Sequence, residues 1–211
     1  MESEILDGIP ARDAEANVRD MARINRLLGG FRLLRSGIRN VTRSAEAVTI
    51  LDVAAAGAIA AEWLERAMPR SRVTSVDLRP DLLSLGKGDR VAADAIALPF
   101  PDNSFDVVVN TLFLHHLSED ALALAVAEML RVARYGVVAV DLARHPLAYR
   151  FLEWSHPLFR WNWITRVDGP RSVQAAFTRA ELQSVLRQAG YPRAKVRMHH
   201  PWFRLSMVLS K

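Results

Sequence analysis

The chain has 211 residues and no cysteine. That excludes disulfides, thiolate metal sites and a cysteine nucleophile. No apolar run approaches the ~20 residues that a membrane-crossing helix needs. The first ten residues, MESEILDGIP, are acidic and poor in apolar side chains, which does not read as a secretory signal. There is no internal repeat, no low-complexity stretch and no Asp/Asn cluster at metal-binding spacing, so no metal is expected. These absences fit a cytoplasmic protein. Half of the residues are hydrophobic, which excludes general disorder and allows one full core.

Charge of one sign is scarce in places. The net charge of +5 is distributed as eight basic against seven acidic residues over 1–49, eight against thirteen over 50–141, and twelve against three over 142–211. The centre is acidic and the last third basic. A protein that coats nucleic acid would be basic throughout, so no nucleic-acid partner is expected.

Short apolar runs alternate with helical patterns. Val48–Val53, Arg72–Asp77, Arg90–Ala93, Phe105–Asn110 and Gly136–Asp141 read as buried strands. Between them, Ala58–Met68, Pro80–Leu85 and a helix capped by Ser118 and running to about Ala133 read as helices. Ahead of them, a helix from Asp13 breaks at Gly29-Gly30, and a second follows over Phe31–Asn40. Strand–helix alternation predicts an α/β fold, a doubly wound, mainly parallel sheet with helices on both faces. Ligands in such sheets lie at the carboxyl ends of the strands. Here those ends are Asp52, Asp77, Asn110 and Asp141.

The segment TILDVAAAGA (49–58) is a strand, a tight turn of small residues and a helix start. Small residues let the backbone approach a ligand, and the helix N-terminus faces it. Asp77, closing the next strand, stands where an acidic side chain accepts hydrogen bonds from ribose hydroxyls. Together these residues point to an adenosine-containing cofactor. A nicotinamide dinucleotide fits poorly, because the turn lacks the fingerprint glycines.

ILDV followed by small residues, VDL, ADAIALPFPDNSFDVVV and LFLHHL resemble the successive motifs of class I S-adenosylmethionine-dependent methyltransferases, nearest to the group related to the ubiquinone and menaquinone C-methyltransferases. The ALPFPDNSFDVVV…LHHL block is the most specific part. The resemblance implies a Rossmann-like seven-stranded sheet with an antiparallel last strand, S-adenosylmethionine as cofactor, and methyl transfer to a small, aromatic or lipid-like acceptor. Carried over position by position, it implies that Asp52 anchors the turn under the methionine portion, and that Ala54, Ala56 and Gly57 form that turn. Asp77 with Leu78 holds the ribose, Asp94 and Ala95 edge the adenine, and Asn110 and Thr111 lie near the sulfonium and carboxylate end. The N-terminal helix closes over the cofactor. The family's turn is glycine-x-glycine-x-glycine, whereas Ala54, Ala56 and Ala58 stand at those places here. Two outcomes follow: a turn reshaped around Gly57 that still binds, or a methyltransferase-like assembly protein with a degenerate turn.

His115 and His116 follow the fourth strand and are the catalytic candidates, as base or acceptor-orienting groups; the alternative is that they pack and lead into the next helix. Arg144–Arg166 interleaves Trp, Phe and Arg. It reads as a lid over the acceptor, as aromatic packing on the sheet, or as an interfacial segment in peripheral contact with a membrane. Arg166, Asp168 and Arg171 fall in a Gly-Pro turn region. Thr178–Ala189 is a helix with a capping box and a terminal Gly190, and Ala194–Met198 with Phe203–Ser210 forms a hairpin. The expected organisation is one domain over 1–211: a helical cap (1–47), the cofactor core (48–141), the lid (142–177) and a terminal helix and hairpin (178–211).

Overall fold

A computed structural model describes residues 5–211. In chain order the elements are α1 (Ile5–Gly8), α2 (Ala11–Leu27), α3 (Gly30–Val41), β1 (Thr49–Val53), α4 (Ile59–Ala67), β2 (Arg72–Asp77), α5 (Pro80–Leu83), β3 (Asp89–Ala92) and β4 (Phe105–Thr111). After a 3₁₀ turn at Leu114–His116 come α6 (Glu119–Val132), β5 (Ala133–Leu142), α7 (Pro146–Trp154), α8 (His156–Phe159), α9 (Trp163–Ala175), α10 (Arg179–Gln188), β6 (Lys195–His199) and β7 (Arg204–Ser210).

The seven strands form one sheet in the order β3-β2-β1-β4-β5-β7-β6. β1 to β5 run parallel, and β7 is antiparallel to both of its neighbours. The expected doubly wound, Rossmann-like sheet with an antiparallel last strand is therefore what the chain builds. The chain winds outward from β1 to β3 and then returns to place β4 beside β1. That reversal leaves a crevice at the strand ends between β1 and β4.

Both faces of the central strands are buried, so they read as continuous apolar runs rather than alternating ones. Successive residues still go to opposite faces. Leu51, Val53, Val137 and Ala139 join the core under α6 and α10, whereas Ile50, Val138 and Val140 join the core under α3 and α4.

Two boundaries differ from the sequence reading. α6 stops at Val132 and β5 begins at once at Ala133, three residues before the expected strand start. Ala133 pairs with Phe105, and the register shifts between Phe105 and Val107. Gly136 is the adjusting point: its φ is +150°, and a Cβ there would lie 2.2 Å from the Leu209 carbonyl oxygen. The second difference is at Arg166–Arg171. This is no turn but the middle of α9, with Pro170 inside the helix. A mid-helix proline removes one backbone hydrogen bond and normally breaks a helix. Here burial of Ile164, Thr165, Asp168, Ser172 and Val173, together with a cap from the Asn162 side chain to the Ile164 N–H, holds the helix across it. The capping box of α10 is present as expected, with Thr178 and Glu181 bonding each other's backbone N–H.

α3 lies close on β5 because Gly37 has no side chain. A Cβ there would sit 2.4 Å from Cγ1 of Val138. Replacing Gly37 by Ala should destabilise the fold by ~1–3 kcal/mol through overpacking. Urea unfolding of the two proteins checks this, and an unchanged midpoint would show that α3 can shift outward freely.

Candidate active site

The turn after β1 is built from alanines in a conformation that favours glycine. Ala54, Ala56 and Ala58 have φ of 56°, 45° and 56°. Gly57 between them does not take positive φ. Its lack of a side chain serves packing instead, because a Cβ there would lie 2.6 Å from Cγ1 of Val18 on α2. The turn is thus not reshaped around Gly57. Three left-handed positions persist with alanine in them, at a cost of about 1–2 kcal/mol each. What holds them is visible. The Ala55 N–H donates to the Val76 carbonyl at 2.9 Å, the Ala58 N–H donates to the Ala55 carbonyl at 2.8 Å, and the Ala56 N–H donates to Oδ2 of Asp77 at 2.8 Å.

Asp77 ends β2 with both oxygens engaged, since Oδ1 accepts the Arg79 N–H at 2.9 Å. Burial raises its pKa, partly offset by those two backbone bonds and by the Arg79 charge. Asp52 is buried more completely. It is fully inaccessible, and among the described residues neither carboxylate oxygen has a hydrogen-bond partner. Burial, reinforced by the charge of Asp77, pushes its pKa up from 3.8 to about 8.

A cavity of about 670 Å³ opens at these strand ends. Six of the residues expected around a cofactor line it: Ala54, Ala56, Asp77, Leu78, Asp94 and Ala95. Leu78 and Ile96 are exposed apolar side chains along the same wall, a surface suited to a flat base. Asp52, buried at the end of β1, and Gly57, packed on Val18, do not line the cavity. Asn110 and Thr111 do not line it either. Asn110 is fully buried and turns its amide to the Met129 sulfur at 3.4 Å. Their place on the wall is taken by Leu112, whose φ is 55°, and by Phe113. The sequence reading missed Met21 of α2 and Arg171 of α9, which also line the cavity. The helical spacing of Met21 with Ile24 and Leu28 marked an apolar face but not what it covers.

A second cavity, of about 280 Å³, adjoins the first. Its walls are mostly apolar, including Ile24, Leu28, Leu147, Phe151 and Val173, with polar points at Asn17, Thr165, Asp168 and Ser172. Met21, Leu112, His115 and His116 line both cavities. A polar clasp between α2 and α9 borders the second one. The Asn17 amide donates to Oγ1 of Thr165 at 3.0 Å, Thr165 donates to Oδ2 of Asp20 at 3.0 Å, and the Asn162 N–H reaches the same Asp20 oxygen at 2.6 Å. The Arg23 guanidinium lies 5.2 Å from the Trp161 ring centroid. Trp161 is buried, so part of the aromatic segment packs, while Trp154, Leu158 and Trp163 stay exposed away from both cavities. Among the described residues no helix is long and apolar enough to cross a membrane.

At the junction, Nδ1 of His115 lies 2.6 Å from Oδ1 of Asp141, and both side chains are buried. Burial alone would raise the Asp141 pKa, yet the His115 charge, its hydrogen bond and the Leu142 N–H together bring it below the usual carboxylate value. Arg204 is fully buried near Asp141. Burial lowers its pKa to about 10, against the pull of that carboxylate.

Residues 51–140 match a family model described as a methyltransferase domain. The chain is 39% identical over 92 residues to a demethylmenaquinone methyltransferase of Renibacterium salmoninarum, covering 41% of this chain and 34% of that protein. It is 30% identical over 146 residues to a ubiquinone/menaquinone biosynthesis C-methyltransferase of Hahella chejuensis, covering 64% of this chain and 55% of that protein. The matches span about a third of the first relative and just over half of the second. Among solved structures, a SAM dependent methyltransferase from Aquifex aeolicus superposes with a TM-score of 0.63 at 14% identity, covering 93% of this chain and 97% of that one. At that identity the fold is what the two share.

The burial of Asp52 makes stability depend on pH. Its carboxyl titrates at a higher pH folded than unfolded, so its contribution is full below about 4 and is lost as pH rises through about 8. Asp52→Asn, which cannot ionise, should therefore gain stability relative to the parent as pH rises from 5 to ~8. Unfolding midpoints of both proteins at the two ends of that range check this. A difference that stays constant or shrinks would mean that Asp52 is solvated.

Proposed function

We propose that this chain, a class I S-adenosylmethionine-dependent methyltransferase related to the ubiquinone and menaquinone C-methyltransferases, transfers a methyl group to a small, apolar acceptor seated in the second cavity. One observation carries this reading: two cavities of different character meet at a shared wall of Met21, Leu112, His115 and His116. One is bounded by carboxylates and a small-residue turn, as an adenosyl group requires. The other is apolar, as a greasy or aromatic acceptor requires.

The residues present fit the cofactor. Asp77 keeps a carboxylate at the cavity wall for ribose hydroxyls, with its remaining lone pairs available beyond the two backbone bonds. Asp94, Ala95, Leu78 and Ile96 bound the slot for the base, and Ala54 and Ala56 bring bare backbone to the wall. When bound, S-adenosylmethionine supplies a methyl group already activated on a sulfonium. The work left to the chain is alignment and the exclusion of water. α2 and α9, joined through Asn17, Thr165, Asp20 and Asn162, perform it by covering the junction. The relatives' quinone acceptors support a flat acceptor here, and the apolar walls of Leu28, Leu147 and Phe151 are compatible with one.

Titration calorimetry with S-adenosylmethionine and with S-adenosylhomocysteine tests the reading. Both should bind the parent, and Asp77→Ala should weaken them about 10- to 100-fold, the loss expected when hydrogen bonds to a charged group worth ~1.5–3 kcal/mol are removed. No heat from either compound at millimolar concentration would sink the methyltransferase reading in favour of an assembly role. Equal binding by Asp77→Ala would show that the ribose lies elsewhere.

A further inference from the structure

The mouth of the second cavity is apolar outside as well as inside. Leu147 and Phe151 of α7 and Trp202 of the β6–β7 loop line the cavity, yet all three are exposed. From Leu147 a stripe continues at helical spacing through Phe151 and Trp154 to Leu158. α7 and α8 form one path along it. Ser155 between them keeps helical angles (φ −76°, ψ −10°), its N–H donates to the Phe151 carbonyl at 2.9 Å, and its carbonyl accepts the Phe159 N–H at 3.0 Å. Trp154 and Leu158 are 68% and 77% exposed, whereas the only residue that α7 buries is Leu152. A helix that turns its larger apolar side chains outward beside a cavity mouth marks an interaction surface. The chain around this mouth is also basic. Residues 22–32, which end α2, begin α3 and bring Ile24 and Leu28 to the cavity, hold Arg23, Arg26 and Arg32 and no acidic residue. Residues 144–160 hold Arg144, Arg150 and Arg160 against Glu153 alone, and 199–204 hold no acidic residue. Arg23 pairs with Asp20 and Arg144 with Glu181, while Arg26, Arg32, Arg150 and Arg160 are exposed. The Arg150 guanidinium lies 5.2 Å from the Trp154 ring centroid.

We propose that this face docks on an anionic lipid bilayer and holds the mouth of the second cavity at the headgroup–acyl boundary, where an apolar acceptor is dissolved. The role of the acceptor rests on the methyltransferase reading above; the docking does not. An aromatic and aliphatic stripe set among arginines is what an interfacial helix presents. Its rings and alkyl groups settle below the headgroups, and its guanidinium groups stay at the level of the phosphates. Charge decides between a bilayer and a second copy of the chain. Two copies meeting through this face would bring their arginines together, whereas lipid phosphates neutralise them. An apolar acceptor partitions into the bilayer, so a mouth held at the acyl boundary admits it without a passage through water.

The test is flotation of the full chain with vesicles of phosphatidylcholine alone and of phosphatidylcholine with ~30% phosphatidylglycerol. The parent should bind the anionic vesicles ~10-fold or more tightly than the neutral ones, and less tightly as salt rises. Lipid brominated on its acyl chains should quench the tryptophan fluorescence, and Trp202→Phe should remove part of that quenching. Trp154→Ser combined with Leu158→Ser should weaken binding ~10-fold or more, and Arg150→Glu combined with Arg160→Glu should abolish the preference for anionic lipid. These four side chains line neither cavity, so both double variants should keep the parent's unfolding midpoint and its affinity for S-adenosylhomocysteine within ~3-fold. No flotation with either vesicle would overturn the proposal, as would flotation that both double variants leave unchanged. Binding without quenching by the brominated chains would overturn it too, because basic adsorption alone would explain that result. Quenching unaltered in Trp202→Phe would place the mouth away from the bilayer and overturn that part. A dimeric parent made monomeric by the Trp154 and Leu158 changes would show a second copy on this face, again overturning it. Protein that binds S-adenosylhomocysteine but no vesicle would overturn the docking alone. Protein that binds the vesicles in these ways but neither cofactor form would support the docking and overturn the methyltransferase reading.

Discussion

The left-handed turn after β1 is the constraint on which the rest of the site depends. Three alternate alanines at φ near 50° turn the chain from β1 into α4 and place the Ala56 N–H on Asp77. The same turn ties β1 to β2 through Ala55 and Val76, and seats α2 on Gly57 through Val18. Gly86 packs against it from the other side, where a Cβ would lie 2.5 Å from that of Ala58. Strained positions of this kind persist only when their surroundings over-determine them. Here a strand on each side of β1, a helix above and a glycine below do so. Alanine at these three positions is held in a left-handed conformation by those contacts, with the Ala54 and Ala56 backbone still at the cavity wall.

The strand ends carry two buried carboxylates with opposite treatment. Asp52 has no partner among the described residues and escapes the penalty of burial by holding its proton up to about pH 8. Asp141 keeps its charge, because His115 and two backbone N–H groups compensate it. A buried charge held in place beside a cavity stores electrostatic readiness, which is where acid–base chemistry is usually located. The uneven charge along the chain follows the same division: the acidic core brings Asp77 and Asp94 to the larger cavity, and the basic last third brings Arg171 to it and Arg204 close to Asp141.

Much of this was legible in the sequence because it is local. β1, β2 and β4 are apolar runs ending in polar residues, the α10 capping box is spelled by Thr178 and Glu181, and Asp77 stands out at a strand end. What was not legible depends on pairing across the fold. The family resemblance puts Asn110 at the cofactor, but the pleat turns its side chain away from the cavity to Met129. The Gly169-Pro170 dipeptide signals a turn locally, yet burial of its neighbours carries α9 through it. Leu112 takes the wall position because the chain leaves β4 there with φ of 55°, which nothing in the local pattern marks. His115 and Asp141 each stand out in the sequence for separate reasons, one after the fourth strand and one at the end of the fifth. Their pairing appears only when β5 lies beside β4 and the 3₁₀ turn folds back over the strand end.

The most direct measurement is a crystal structure of the chain with S-adenosylhomocysteine. The account predicts the ribose hydroxyls on Asp77, the base between Leu78 and Ile96 near Asp94, and the sulfur toward the wall shared by Met21, Leu112 and His115, with Ala54, Ala56 and Ala58 still at positive φ. Ligand absent from that cavity at saturating concentration, or bound only after the alanine turn has rearranged, would contradict it.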